Sequence, residues 1–227
     1  MGPDGPLVRI GLAPRAAGLS YEAVQEHWRT SHRDAALGLE GMRSYVQNHA
    51  VLRGGRLLLP YPGFDVCAET EFDDVASMRA AFASDHYRHA VREDEAKLID
   101  GSRFMLVLTR RRVISDGEPP DSAVKLMTFL RRSPRASTRA LVEVLAGPYA
   151  RAVAHANPLR HEQLITEPAA HATELPACCD AVDLIWFADA EHALDAVTGV
   201  LAEHAGPLLS GTAFGAERTL VRGLRMR

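Results

Sequence analysis

The order of secondary-structure elements repeats along this chain, and that repeat constrains the fold more than any other feature of the sequence. Apolar periodicity and turn residues predict strand, helix, strand, strand, helix, strand over residues 7–114. Residues 115–122, SDGEPPDS, have the glycine and prolines of a linker. The same order restarts within 123–227, at an offset of about 116 residues. We therefore expect an α+β protein with two units of one topology.

Each unit has the element order of the split βαβ, or ferredoxin-like, arrangement. The predicted strands cover 8–13, 45–52, 64–72 and 103–113 in the first unit, and 124–130, 159–166, 180–187 and 219–224 in the second. The helices start near residues 20, 73, 138 and 190, with a short helical piece at 94–98. Each unit of roughly 100 residues is long enough to bury its own core.

Composition excludes several classes of protein. Hydrophobic residues make up 47% of the chain, charged residues 24%, and the formal net charge is only -3, which argues against a nucleic-acid binder. No apolar run is long enough to span a membrane, and the N-terminal residues lack the apolar core of a signal peptide. Three cysteines, two of them adjacent, do not fit a disulfide framework. We expect a protein of the cytoplasm with reduced thiols.

Most of the unusual polar side chains lie between residues 20 and 50. Ser20 is a suitable N-cap for a helix, with Leu19 placed to contact Val24. Helical periodicity predicts a buried stripe with His32 at its edge, formed by Val24, Trp28, Ser31 and Ala35. In the strand that follows, alternation places Tyr45, Gln47 and His49 on one face. Such a polar face is unusual against a plain apolar core and suggests a site.

The second unit does not repeat these residues. At the offset of 116, Tyr45 aligns with His161 and Gln47 with Gln163, so the strand keeps its polar character. His27, Trp28 and His32 align instead with Glu143, Val144 and Pro148. The asymmetry makes the first unit the better place to look for a functional site.

The stretch HWRTSHRDAALGLEGMRSYVQNH, followed by FDVCAETEF and REDEAKLID, resembles the EthD-like family of dimeric α+β barrel proteins over residues 7–114. The second unit then looks like a degenerate copy. The resemblance implies two ferredoxin-like repeats packed sheet to sheet within one chain, as an intramolecular version of that barrel. Relatives include muconolactone-type isomerases, cofactor-free anthrone monooxygenases, and dehydratases or cyclases of aromatic polyketide pathways. The family's tryptophan, histidine and tyrosine fall on Trp28, His32 and Tyr45.

These residues suit proton transfer beside a carbonyl group. Histidine exchanges a proton near neutral pH, and tyrosine donates a hydrogen bond to an oxygen on which charge develops. We expect His32 and Tyr45 to be catalytic and the surrounding side chains to bind substrate. The expected binding residues are Trp28, Gln47, His49, Cys67 and Glu69. For His32 the alternative is a histidine bonded to a backbone carbonyl, and for Glu69 it is a structural ion pair with an opposing basic residue.

The expected activity is that of a cofactor-independent isomerase or lyase of the dehydratase/cyclase type, acting on a hydrophobic cyclic or aromatic carbonyl compound. Two alternatives stay open: a cofactor-free anthrone-type monooxygenase, and a non-catalytic barrel that binds a small molecule or haem. The sequence has no phosphate-binding glycine loop and no zinc-ligand spacing, so we expect neither cofactor nor metal. The expected partner is a small hydrophobic substrate, with no nucleic acid and no membrane. The protein would be a monomer with an internal pseudo-dimer, or a homodimer.

Overall fold

The computed structural model describes residues 6–168 and 177–227. Over these residues the chain is an α+β protein in which eight antiparallel strands close a barrel and helices cover its outer surface. No helix within the two described ranges is long and apolar enough to cross a membrane.

The barrel strands follow one another in the order β1-β5-β2-β10-β7-β9-β8-β6, with a separate two-stranded hairpin of β3 and β4. Four neighbouring strands, β6-β1-β5-β2, come from the first half of the chain, and the next four, β10-β7-β9-β8, come from the second. Contacts of β2 with β10 and of β6 with β8 close the ring. The strands are β1 (Leu7–Ala13), β2 (Ser44–Ala50), β3 (Leu52–Arg53), β4 (Arg56–Leu57), β5 (Val66–Phe72), β6 (Met105–Ser115), β7 (Val124–Arg132), β8 (Arg160–Thr166), β9 (Ala181–Phe187) and β10 (Ala213–Arg225).

The last strand is much longer than the sequence predicts. A short strand over 219–224 is expected, but β10 begins at Ala213 and pairs with β7 along its first part. A register shift between Ala213 and Gly215 interrupts this pairing, and Phe214 is largely exposed. The early part of β10 therefore lacks the apolar alternation by which a strand is recognised.

The long helical regions are interrupted by π-helical turns of five residues. Ser20 caps the first helix by accepting a hydrogen bond from the Ala23 amide, as expected. The helices are α1 (Tyr21–His27), α2 (Arg33–Leu37), α3 (Val75–Ala83), α4 (Arg92–Leu98), α5 (Thr138–Val144), α6 (Ala150–Ala154), α7 (Ala190–Thr198) and α8 (Gly206–Leu209). The π-helical turns are Trp28–His32, Tyr87–Val91, Leu145–Tyr149 and Leu201–Ala205.

The first π-helical turn changes which side chains of the helix are buried. Val24, Trp28, His32 and Ala36 are buried at a constant spacing of four residues, whereas Ser31 is exposed. The prediction that Ser31 belongs to the buried stripe is therefore wrong. A π-helical turn holds more residues than an α-helical turn, so the buried stripe moves one position along the chain. His32 consequently lies within the buried face rather than at its edge.

Candidate active site

The polar face of β2 points outward against the first helix rather than into the barrel. Val46 and Asn48 have the inward parity, while Tyr45, Gln47 and His49 contact the helix that contains Trp28. Alternation identifies which residues share a face but not which face is the lumen. The structure therefore does not gather all the predicted site residues in one place.

Tyr45 lies at the centre of a buried hydrogen-bond network. Its hydroxyl oxygen accepts from Trp28 Nε1 at 3.0 Å and from Gln47 Nε2 at 3.0 Å. Gln47 Nε2 also donates to the Trp28 backbone carbonyl at 2.7 Å. Burial raises the pKa of Tyr45 to about 12, although the two hydrogen bonds it accepts oppose the shift. The phenol is therefore protonated, and since it accepts both bonds its own proton is available to donate.

His49 completes this network on the strand. Its ring lies 4.7 Å from the Trp28 ring, centroid to centroid, and its Nε2 lies 2.9 Å from Gln47 Oε1. Because the amide nitrogen of Gln47 is committed to the Trp28 carbonyl, Oε1 must accept and His49 Nε2 must donate. Burial, together with the charge of Arg29, lowers the pKa of His49 to about 4. His49 is thus a neutral side chain that holds Gln47 and Trp28 in place.

His32 is held by a carboxylate from α4. Its Nδ1 lies 3.1 Å from Asp94 Oδ2, and the same carboxylate accepts from His27 Nε2 at 2.9 Å. Among the described residues, the Nε2 atom of His32 has no hydrogen-bond partner, so one ring nitrogen is oriented and the other is free. Burial lowers the pKa of His32 below its ordinary 6.5, while Glu95 and Asp94 act in the opposite direction. A neutral imidazole of this kind can accept a proton at neutral pH.

A cavity of about 700 Å³ lies between the outer face of β1 and β6 and the second helical region of the first half. Its wall is mainly apolar, with Arg9, Tyr87 and Glu95 among its polar groups. The Tyr87 hydroxyl donates to Glu95 Oε2 at 3.1 Å. Neither His32 nor Tyr45 is among the residues that line this cavity, although the charge of Glu95 acts on the pKa of both. Other lining residues include Met78, Phe82, Ile99, Phe104 and Leu106.

The register of the sheet connects this cavity with the network around Tyr45. Arg9 of β1 pairs with Thr70 of β5, and Thr70 pairs with Tyr45 of β2. The three residues form one row across adjacent strands on the helix-covered face. Two inter-strand steps separate Arg9 from Tyr45, which corresponds to roughly 10 Å between their Cα atoms.

Cys67 and Glu69 lie on the other side of the sheet, in the barrel lumen. Burial raises the pKa of the Cys67 thiol, so it is protonated and a poor nucleophile. Burial alone would raise the pKa of Glu69, but Lys125 at 2.5 Å and Arg111 lower it to about 2. Glu69 is therefore ionised and paired with Arg111 of the first half and Lys125 of the second half. Among the predicted binding residues, these two are separated from His32 and Tyr45 by the sheet.

The lumen also explains the run of arginines at the end of β6. Arg111 points inward and contacts Glu69, Glu71 at 2.6 Å and Glu162 of β8. A volume of about 380 Å³ with charged walls remains at this end of the barrel. Arg111 thus joins the two halves of the chain, since Glu162 belongs to the second half.

The second half places a different polar cluster in the corresponding position. Gln163 Nε2 donates to the Leu145 carbonyl at 2.8 Å, as Gln47 does to Trp28. Asp183 accepts from the Tyr149 hydroxyl at 3.0 Å and from His161 Nε2 at 2.7 Å. The π-helical turns Trp28–His32 and Leu145–Tyr149 therefore correspond.

The helix alignment predicted at an offset of 116 is wrong by one residue. The matching π-helical turns pair Trp28 with Leu145 and His32 with Tyr149, rather than with Val144 and Pro148. The segment that joins the helix to the next strand is one residue shorter in the second half, which the uniform offset did not allow for. The finding that the second half lacks the tryptophan and histidine still holds.

The sequence reasoning missed the side chains that line the cavity. Arg9 interrupts an otherwise apolar strand, VRIGLA, and this was the available signal. Glu95 lies in the segment REDEAKLID, but an acidic residue near a helix start has an ordinary stabilising role. Phe82, Tyr87 and Phe104 had no signal apart from their aromatic character. Within residues 6–168 and 177–227, no group of three or more His, Cys, Asp or Glu side chains is arranged to hold a metal ion.

Comparisons with known proteins support the fold. Among solved structures, an anthrone oxidase-like protein has a TM-score of 0.68 at 11% identity, covering 97% of this chain and 92% of that chain. A candidate monooxygenase from Fusobacterium nucleatum has a TM-score of 0.59 at 9% identity, covering 97% and 93%. A mutant chlorite dismutase from Candidatus Nitrospira defluvii has a TM-score of 0.53 at 9% identity, covering 96% and 91%. At such identities the likeness shows the fold alone.

No curated protein matches the chain at a significant level. The model of the EthD domain family matches residues 16–102, which include α1, the first π-helical turn, β2 and α4. The structural neighbours have the dimeric α+β barrel fold. The similarity to the EthD domain family therefore covers residues 16–102, within the first half of this chain.

Proposed function

We propose that this protein is an enzyme that moves a proton on a hydrophobic, carbonyl-bearing, cyclic or aromatic substrate, as an isomerase or as a dehydratase/cyclase. The observation that carries the proposal is the state of His32. Asp94 holds its Nδ1, and its Nε2 has no partner among the described residues. A buried histidine oriented by a carboxylate and left with one free nitrogen is suited to act as a general base.

In this reaction His32 removes a proton from the carbon next to the carbonyl group. Neutral His32 accepts the proton at Nε2, and Asp94 stabilises the imidazolium that forms, because its carboxylate is in contact with Nδ1. The same histidine then returns the proton to another carbon, or to the oxygen of a leaving hydroxyl group. Both acid and base are side chains of the protein, so the chemistry requires no cofactor.

Tyr45 serves as the hydrogen-bond donor to the substrate oxygen. As the proton leaves carbon, negative charge develops on the carbonyl oxygen and is stabilised by a donor already in place. Trp28 and Gln47 both donate to the Tyr45 oxygen, which orients the phenol and leaves its proton to donate. In this assignment Trp28, Gln47 and His49 position Tyr45, while Cys67 and Glu69 stay in the lumen.

The substrate occupies the cavity of about 700 Å³ in the first half. Its volume and largely apolar wall suit a cyclic or aromatic molecule. Glu95 belongs to the cavity wall and acts on the pKa of both His32 and Tyr45. The reacting end of the substrate would therefore lie at the side of the cavity nearest to Glu95.

We also propose that residues 7–114 and 123–227 are two ferredoxin-like repeats joined by a linker at 115–122, the second of them degenerate. Each half supplies four neighbouring strands of the barrel, and the corresponding glutamines make the same bond to the first residue of a π-helical turn. The barrel would then be a pseudo-dimer inside one chain. Catalysis would belong to the first repeat alone.

Proton transfer can be tested without knowing the natural substrate. Cyclic ketones, lactones and anthrone-like phenols are incubated with the protein in D₂O, and deuterium uptake at carbon is followed by NMR. We expect exchange with the wild-type protein, a fall of about 10²- to 10⁴-fold for His32→Ala, and a smaller fall for Tyr45→Phe. The matched control is Tyr149→Phe, because Tyr149 occupies the position of His32 in the second half and should leave exchange unchanged. Full exchange in both first-half variants would refute the mechanism.

The same experiment separates the alternative activities. Oxygen consumption that matches product formation would indicate a cofactor-free monooxygenase in the same cavity. A Soret band in the purified protein, or tight binding without product, would instead indicate a non-catalytic carrier of haem or of a small molecule.

A further inference from the structure

Arg9 is a buried cation without a direct partner. It is 9% exposed, in the middle of β1, and lines the cavity in the first half. Within the described part of the chain its guanidinium forms neither an ion pair nor a hydrogen bond; its contacts are with two aromatic rings. Burying a charge that lacks such partners is costly, and proteins retain such groups mainly at functional sites.

Two aromatic rings lie against the guanidinium of Arg9. Its central carbon lies 4.0 Å from the centre of the Phe82 ring and 5.5 Å from that of Phe104. Gly11, two residues along the same strand, leaves the necessary space: a Cβ there would be 3.2 Å from Arg9 Nη1 and 3.3 Å from the Phe104 ring. Ring contacts use the faces of the planar group, so its N–H edge stays available.

The carboxylate of Glu95, on the same cavity wall, does not bond to the N–H edge of Arg9. Glu95 influences the pKa of Arg9 through its charge, but the two side chains form no ion pair. The Tyr87 hydroxyl instead donates to Glu95 Oε2 at 3.1 Å. The wall of the cavity thus carries the buried Arg9, the exposed Arg79 and Arg92, and one carboxylate, Glu95, which does not pair with Arg9.

We infer that Arg9 binds the carboxylate of an aromatic or otherwise hydrophobic carboxylic acid in this cavity. A guanidinium matches a carboxylate with two parallel hydrogen bonds, which are strong where water is excluded. The assignment rests on the proposed function in that it takes this cavity to be the substrate site. It adds that the substrate is an anion, held through its carboxylate by Arg9.

Binding measurements test this without any turnover. Benzoate, 2-naphthoate and anthracene-2-carboxylate are titrated by calorimetry at pH 7, each beside its neutral carboxamide. For at least one pair we expect the carboxylate to bind about 10- to 100-fold more tightly than the amide. Arg9→Gln should abolish that preference. Arg135→Gln, which removes one exposed positive charge elsewhere, should keep it.

Two further variants separate recognition from folding. Gly11→Ala keeps the charge but presses on Arg9 Nη1 and Phe104, and should weaken carboxylate binding several-fold. Arg9→Gln should keep or raise the melting temperature, because it removes a buried charge that has no direct partner. A lower melting temperature with the carboxylate preference intact would make Arg9 structural and overturn the inference. The absence of any carboxylate preference in the wild-type protein would do the same.

The two proposals fail in different ways. His32→Ala should lose deuterium exchange and keep the carboxylate preference, because His32 is not among the residues that line the cavity around Arg9. Carboxylate binding in a protein that exchanges no deuterium would refute the proposed reaction alone. Exchange of neutral ketones without carboxylate preference would refute the role of Arg9 alone.

Discussion

The helix-covered faces of β2 and β8 share one hydrogen bond but differ in the groups around it. Gln47 and Gln163 each donate to the carbonyl of the first residue of a π-helical turn, at 2.7 Å and 2.8 Å. In the first half, the glutamine oxygen accepts from His49. In the second half, Ile165 stands at the position of His49, and Gln163 Oε1 has no hydrogen-bond partner within residues 6–168 and 177–227.

The titratable groups differ in the same way. Among the described residues, one ring nitrogen of His32 has no partner beside the bond to Asp94, whereas Tyr149, His161 and Asp183 bond to one another in a buried cluster. The side chains of His161 and Asp183 are 2% and 0% exposed. The comparison suggests that one half keeps polar groups for chemistry and the other uses them for stability. The following predictions test that difference.

The largest expected effect on stability is in the second half. Asp183→Ala leaves Tyr149 and His161 buried without their partner, which should lower the free energy of unfolding by about 3–5 kcal/mol. Asp94→Ala, in a pair that is partly open to solvent, should cost about 1–2 kcal/mol. Urea denaturation measures both. Equal losses would contradict the division between a stabilising and a functional half.

The effect of intermediate size is a dependence of the free energy of unfolding on pH, caused by His49. Because its pKa in the folded protein is about 4, below the ordinary 6.5, the unfolded chain binds the proton first. Stability is therefore full above pH 6.5 and falls by about 3 kcal/mol as the pH drops from 6.5 to 4. His49→Ile copies Ile165 and should remove this part of the acid dependence, as followed by urea denaturation at several pH values. An unchanged slope would show that other groups cause it.

The smallest expected effect is the difference in stability between two glutamine variants, about 2 kcal/mol. Gln47→Leu breaks the bonds to the Trp28 carbonyl, the Tyr45 hydroxyl and His49, and should cost about 3 kcal/mol. Gln163→Leu breaks one bond and also removes an unpaired buried oxygen, so about 1 kcal/mol is expected. Thermal unfolding of both variants measures the difference. The reverse order would mean that the network around Tyr45 is not the more connected of the two.

Much of the fold could be predicted from local patterns, and the site could be predicted only in part. Strand and helix order follows from periodicity, and Ser20 was recognised as an N-cap by its residue type alone. The pairing of β2 with β10 depends on contacts distant in sequence, which no local pattern records. The outward direction of Tyr45 and Gln47 was likewise unpredictable, since alternation is symmetric between the faces of a sheet. Arg9 was overlooked because a single charge in an apolar strand is usually treated as an exception to the pattern.

One chain supplies all eight strands of this barrel. In an assembly of two identical chains, every substitution occurs twice, so a change that seals one pocket seals the other. Here the two four-stranded halves of the barrel are encoded separately, and each can accumulate its own substitutions. Trp28 and His32 of the first half stand opposite Leu145 and Tyr149 in the second, so the two halves already differ at these positions. A covalently joined barrel can thus specialise in a way that a symmetric pair of subunits cannot.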